Sequence, residues 1–90
     1  ATYYNTGLGS CGVTNVDTDY VVALSTQENG SHARCNQKIM VHYGGKSVAA
    51  TVVDLCPSCS PYSIDLSPAA FEGLASKDLG RIQVSWEYMP

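Results

Sequence analysis

The stretch TVVDLCPSCSPYSIDLSPAAF, residues 51–71, changes character three times. It begins as an apolar run ending at Asp54, turns through Cys56-Pro57-Ser58-Cys59, gives a brief β pattern in YSIDL, and then opens a helix. Ser67 is a good N-cap, since its side chain can accept from the orphan N–H groups of a first turn, and Pro68 suits the first helical position. AAFEGLA then places Phe71, Leu74 and Ala75 on one stripe, and Gly80 is expected to close the turn that follows. Two carboxylates bracket the cysteines. Asp54 stands where a buried strand reaches the surface, a common place for a functional group, although a turn Asp bonding its neighbours' N–H groups looks the same. Asp65 lies two positions before the N-cap, where backbone N–H groups favour negative charge. That lowers its pKa, whereas burial against Tyr62 or Phe71 raises it.

Outward from this stretch, strand patterns dominate. SVAATVVDL is preceded by KIMVHY, with Gly44-Gly45 between them as a hairpin signal. DYVVALS is a continuous apolar run, short enough for a strand buried on both faces. ATYY opens the chain with β-formers, and RIQVSWEY alternates, with Ile82, Val84, Trp86 and Tyr88 on one face and Gln83, Ser85 and Glu87 on the other. Six strands with one or two short helices predict a mainly β fold, a small closed barrel whose closure removes exposed strand edges.

Ninety residues make one domain, 1–90, whose hydrophobic core alone is marginal. Charged residues are 14% and hydrophobic ones 44%, the composition of a turn-rich globular chain. The net charge of −3, with no run of Lys or Arg, gives no footprint for nucleic acid. No run approaches the ~20 apolar residues of a membrane span. A neutral or weakly polar partner fits better, and no cofactor is implied.

Cys11, Cys35, Cys56 and Cys59 read as two disulfides ahead of a zinc site, because Cys56 and Cys59 alone have ligand spacing. Four cysteines allow three pairings, and Cys56–Cys59 with Cys11–Cys35 is preferred here. A redox role for Cys56 and Cys59 is disfavoured, since Ser60-Pro61 follows without a helical pattern. Disulfides imply an oxidising compartment, so secretion is expected, with Ala1 near a mature N-terminus. Asn29-Gly30-Ser31 is a glycosylation sequon but reads first as an Asn-Gly turn. His32 lies in a polar loop and His42 in no recognisable constellation, so neither is a candidate catalyst. Tyr3 and Tyr4 point to opposite faces of a strand, one to pack and one to be exposed. Tyr62, three residues before Asp65, could stack on a sugar ring.

Taken in order, ATYY, GSCG, VVALS, TVVDLCPSC, IDLSPAAFEGLA and GRIQVSWEY resemble the expansin-like family over essentially the whole chain, and within it the single-domain fungal loosenins. The resemblance implies a six-stranded double-psi β-barrel. The same barrel is found in barwin, rare lipoprotein A, family 45 endoglucanases and a bacterial inhibitor of papain-like proteases. It also implies site residues. The family's Thr-aromatic-Tyr pattern falls on Thr2, Tyr3 and Tyr4, its groove Asp on Asp54, and the essential Asp of its DLS motif on Asp65. Cys56 stands where bacterial expansins have a groove Tyr, and Tyr62 is the candidate substitute. The expansin C-terminal binding domain has no counterpart in these residues.

Inverting hydrolysis on this barrel needs an acid and, about 6.5–9.5 Å across the cleft, a base. Asp65 would be the acid. Residues 1–16 contain no Asp or Glu, so Asn5 and Thr6 stand where the endoglucanase base would be. Asp54 is expected on a strand end adjacent to that of Asp65, as a neighbour rather than an opposed base. The expectation is therefore a secreted, monomeric, non-hydrolytic protein. It binds β-1,4-linked cell-wall polysaccharide, cellulose- or chitin-like, through Thr2, Tyr4, Asp54, Tyr62 and Asp65, and loosens it. The alternatives are an inhibitor of papain-like proteases, using loops 5–10 or 57–62, and a lytic transglycosylase with Asp65 as acid.

Overall fold

A computed structural model describes residues 1–9, 11–12, 14–25, 34–57, 59–60 and 62–89. Asn29 and His32 lie outside the described residues, as do Ser10 of the first candidate inhibitory loop and Ser58 and Pro61 of the second. Six strands form one sheet: β1 (Thr2–Tyr3), β2 (Val21–Ser25), β3 (Lys38–Tyr43), β4 (Lys46–Cys56), β5 (Ile64–Leu66) and β6 (Ser85–Tyr88). Their order across the sheet is β1-β5-β2-β4-β3-β6. The β1/β5 and β2/β4 pairs are parallel, while β2/β5, β3/β4 and β3/β6 are antiparallel. The two ends of this order meet through Ala1 and Ile82, each of whose nitrogens donates to the other's carbonyl, at 2.6 and 2.9 Å. The sheet is thereby closed into a barrel.

Each strand follows from its residues. β2, Val-Val-Ala-Leu-Ser, is buried at every position, as a strand flanked by β5 and β4 and covered on both faces must be. Gly44 and Gly45 both have positive φ, 54° and 84°, which the tight turn between β3 and β4 demands and which glycine adopts without strain. The alternation of RIQVSWEY holds: Ile82 is buried and Val84, Trp86 and Tyr88 half-buried, while Gln83, Ser85 and Glu87 are exposed. Val22, Leu24, Ile39, Val41, Val52, Ile64, Leu66 and Phe71 make the centre of the core, all at most 1% exposed. Each such side chain contributes roughly 1.5–3 kcal/mol by leaving water.

The helix α1 (Pro68–Glu72) caps one end of the barrel and is shorter than the stripe Phe71, Leu74, Ala75 implied. Ser67 does cap it, accepting from Ala70 N–H at 3.3 Å, and its hydroxyl also donates to the Asp19 carbonyl at 2.6 Å. One buried hydroxyl thus fixes both the helix start and the approach to β2. A separate 3-10 turn over Lys77–Leu79 is capped by Ser76, and it is this turn that Gly80 closes, with φ 70°. Both disulfides of the preferred pairing are present, Cys11–Cys35 and Cys56–Cys59. No described cysteine is free, which excludes the zinc reading for these residues.

Candidate functional site

The site is built where β1, β5, β2 and β4 run side by side. Thr2 and Asp65 are partners in the parallel β1/β5 register, and the Thr2 hydroxyl donates to Asp65 Oδ1 at 2.8 Å. On its other side Asp65 registers against Ala23 of β2, and Ala23 registers in turn against Asp54 of β4. The two aspartates are therefore not on adjacent strands, as the sequence suggested. With β2 between them their backbones stand roughly 9–10 Å apart, two strand spacings. The β2/β4 register shifts between Val22 and Ala23, just before the Asp54 pairing, and the charges of both aspartates act on Tyr4, so both carboxylates belong to the same wall of the barrel. Between them Ala23 contributes only a methyl group.

Tyr4 completes this wall. Its N–H donates to the Leu66 carbonyl at 2.9 Å, continuing the β1/β5 pairing by one residue. Partial burial first, and then the charges of Asp54 and Asp65, push its phenol up to about 12. It stays a neutral hydroxyl, able to donate and accept. Tyr3 packs its ring 4.9 Å from that of Phe71 at 58°, and both adjacent tyrosines are half-buried rather than one packed and one exposed.

The acidity of Asp65 is set by opposed effects. Burial raises its pKa above the ordinary value, and the Thr2 hydroxyl bond, the Ala1 amine and Arg81 pull it partly back. Burial wins, so Asp65 holds its proton more readily than a surface carboxylate. Asp54 Oδ1 accepts from the Leu55 N–H at 2.8 Å, the local bond of a turn aspartate, while its carboxylate charge is felt by Tyr4.

Asp65 also borders a cavity of about 130 Å³, walled by Thr2, Ser60, Ser63, Arg81 and the Cys56–Cys59 disulfide. Cys56 therefore does stand at the site, as part of a disulfide wall rather than as a sugar-contacting ring. Tyr62 is not part of this wall. It occupies a turn with φ 66°, the residue as a whole 71% exposed, and its carbonyl accepts from the Trp86 indole N–H at 2.9 Å. The strand expected over YSIDL consequently starts only at Ile64.

Three features escaped the sequence reading. Arg81 reaches the site because Gly80 turns the chain and Ile82 is pinned to Ala1, neither of which has a periodic signature. Asp17 folds back onto Thr6, accepting from its N–H at 2.7 Å and its hydroxyl at 2.9 Å. Those two bonds lower the pKa of the exposed Asp17 below its ordinary value. His42 has partners after all: Ser47 Oγ lies 2.8 Å from Nδ1 and Glu87 Oε1 2.6 Å from Nε2. The β3/β4 register that places Ser47 opposite His42 was the available signal. This trio is exposed and does not border the cavity. Among the described residues no three His, Cys, Asp or Glu gather where a metal could be held, and no helix is long and apolar enough to cross a membrane.

A closed six-stranded barrel with parallel β1/β5 and β2/β4 pairs, two disulfides and a polar wall centred on an aspartate defines the class: a disulfide-tied double-psi β-barrel. The family model described as lytic transglycolase matches residues 1–86, and the chain belongs to that family, in its expansin-like branch. The papain inhibitor of Streptomyces mobaraensis is 33% identical over 98% of this chain and 68% of its own length. Allergen Asp f 7 of Aspergillus fumigatus is 37% identical over 97% of this chain and 34% of its own. Putative ripening-related protein 2 of Oryza sativa subsp. japonica is 34% identical over 78% and 44%. The chain thus spans less than half of the latter two relatives. Among solved structures, the Streptomyces papain inhibitor superposes with a TM-score of 0.89 at 33% identity, over 99% of this chain and 89% of the inhibitor. A variant expansin of Clavibacter michiganensis in complex with cellohexaose superposes with a TM-score of 0.90 at 27% identity, over 99% of this chain and 48% of the expansin.

Proposed function

We propose that this chain binds a single β-1,4-linked chain of a cell-wall polysaccharide, cellulose- or chitin-like, and loosens the polymer without cutting it. The observation that carries the reading is the placement of Asp54 and Asp65 on one wall, with only Ala23 between their strands. A sugar lying on that wall meets both carboxylates from the same side. Inversion needs water activated on the far side of the ring from the acid. Asp17, the first carboxylate of the chain, is committed to Thr6, whose N–H and hydroxyl both donate to its Oδ1. The cellohexaose complex of the similar expansin supports the choice of ligand. Asp65 and Tyr4 bond sugar hydroxyls, and charge-assisted bonds are the stronger ones. A protein that prefers a separated chain over a packed one shifts the fibre towards separation. The two disulfides support secretion, since they persist in oxidising compartments.

The test incubates the protein with cellulose and with chitin and follows swelling alongside reducing ends. Swelling without reducing ends is expected, and soluble sugars accumulating catalytically would overturn the reading. The same assay on peptidoglycan, with anhydro-sugars as the signal, addresses a lytic activity using Asp65 as acid.

A second reading, inhibition of a papain-like protease, has its own support. Leu8 is 74% exposed, yet the loop around it is held by Asn15 N–H to Gly7 carbonyl, Thr6 to Asp17, and the Cys11–Cys35 disulfide. An apolar side chain on so braced a loop enters a cleft at little entropic cost. Papain inhibited by the wild type but not by Leu8→Asp is the expected sign, and equal inhibition by both would remove that loop.

A further inference from the structure

Resting on the glycan-binding reading, we infer that the cavity between Asp65 and Arg81 is a subsite for an acidic sugar, a hexuronate within a β-1,4-linked chain. Both residues line the same cavity, and the guanidinium is near enough to pull the raised pKa of Asp65 partly back down. No described salt bridge joins them; the described close contacts of opposite-charge side-chain types are His42–Glu87 and Lys77–Glu72. Arg81 is exposed, and no described hydrogen bond uses its guanidinium. The cation and the carboxylate thus face a space of about 130 Å³ that neither closes.

The position of Arg81 is fixed by its backbone. Its N–H donates to the Leu79 carbonyl at 2.7 Å, and the next residue, Ile82, is buried and bonded to Ala1. The guanidinium therefore starts from a defined point on the cavity rim.

The chemistry of the guest follows from what each wall can bond. An ionised Asp65 accepts only, so it takes sugar hydroxyls as donors. Arg81 donates only, and its planar fork matches a carboxylate in bidentate fashion better than it matches a hydroxyl. Ser60 and Ser63 can serve either partner. A neutral glucose satisfies Asp65 and leaves the guanidinium facing water. A glucuronate satisfies both, with hydroxyls on one edge of the ring and a carboxylate on C5. The net charge of −3 and the second carboxylate, Asp54, disfavour polyanions at a distance. The preference is therefore local to Arg81 rather than a general attraction.

The experiment titrates the whole chain with cellotetraose and with β-1,4-tetraglucuronate, two ligands of one linkage that differ at C6. Arg81→Gln and Arg81→Lys are measured beside the wild type, with melting temperature as the folding control. Wild type is expected to bind the uronate about tenfold more tightly, the scale of one charge-assisted contact. Added salt should shrink that excess. Arg81→Gln should abolish the excess of uronate over cellotetraose affinity, and Arg81→Lys should keep part of it. Equal or weaker binding of the uronate by wild type, or an excess that survives Arg81→Gln, overturns this inference alone. Failure of both ligands to bind overturns it together with the glycan-binding reading.

Discussion

Thr2 and Asp65 are joined twice, as register partners in parallel strands and through a 2.8 Å bond from hydroxyl to carboxylate. The bond favours the ionised form, yet burial outweighs it and the pKa of Asp65 is raised. For a carboxylate this has a definite sign. Where the folded pKa lies above the unfolded one, the group's stabilising contribution is fully present below the ordinary carboxylate range and is lost as pH rises through the folded value. Above the folded value the wild type carries a partly desolvated charge, which costs stability. Asp65→Asn keeps an acceptor for Thr2 and removes the charge. It should melt higher than wild type at neutral pH, by less than the ~4–8 °C that 1 kcal/mol gives a domain of this size, and match it in acid. Its affinity for cello-oligosaccharides should fall about tenfold or more. A variant that is less stable at neutral pH, or that binds as tightly, contradicts the role given to this residue.

Tyr62 gives the second prediction. It is held at φ 66° with its ring in solvent, and the Trp86 indole N–H grips its carbonyl. A non-glycine residue in that region costs on the order of 1–2 kcal/mol, a cost that persists where the surroundings enforce it. Tyr62→Gly should hold or raise stability, by up to about 1 kcal/mol, because glycine relieves the strain and little buried area is lost. If the ring stacks on sugar, the same variant loses oligosaccharide affinity. Trp86→Phe should lower stability by about 1 kcal/mol or more through the lost donor. Thermal melts and glycan titrations on the two variants separate a binding ring from a merely exposed one.

The contrast between these sites shows what the sequence can carry. β3, β4 and α1 were legible because period-2 patterns, the Gly44-Gly45 turn and the Ser67-Pro68 cap act within a few residues of one another. The position of Asp65 on a short strand just ahead of that cap was legible for the same reason. The separation of Asp54 from Asp65 by β2 was not, because strand order is a property of the closed sheet and leaves no trace in local periodicity. Thr6–Asp17 and Trp86–Tyr62 were hidden for a related reason. Each joins a side chain to a partner 11 or 24 positions away in an irregular segment, where no repeat exists to be read.

The two disulfides should differ in what their loss does. Cys11–Cys35 closes a separation of 24 residues and Cys56–Cys59 one of 3. Loop-closure entropy then assigns about 3.4 kcal/mol to the first and about 1.6 kcal/mol to the second. Cys11→Ser with Cys35→Ser should produce the larger drop in denaturation midpoint. Cys56→Ser with Cys59→Ser should unfold less readily but lose more glycan affinity, since that disulfide walls the cavity beside Asp65. Denaturant melts and oligosaccharide titrations on both double variants check the crossing of the two orders. Parallel losses would show that the cavity wall has no part in binding.

Gly7 and Gly9 flank the exposed Leu8 but are not equivalent. A Cβ built on Gly9 would lie 2.2 Å from the Val53 carbonyl oxygen and 3.5 Å from the Cβ of Asp54, whereas one on Gly7 meets nothing within 4 Å. The clash at Gly9 is with strand backbone, which cannot rotate aside, so the loop must lift off β4. That movement breaks the Cys11 N–H bond to the same Val53 carbonyl and disturbs the wall next to Asp54. Gly9→Ala should therefore destabilise the fold by about 1–3 kcal/mol, the usual range for overpacking, and weaken both glycan binding and any inhibition that depends on Leu8. Gly7→Ala should change stability by less than about 0.5 kcal/mol, as substitutions at open surface positions do. Thermal melts of the pair decide the matter, and a Gly9→Ala protein as stable as wild type would mean that this loop is not seated on the strand that carries Asp54.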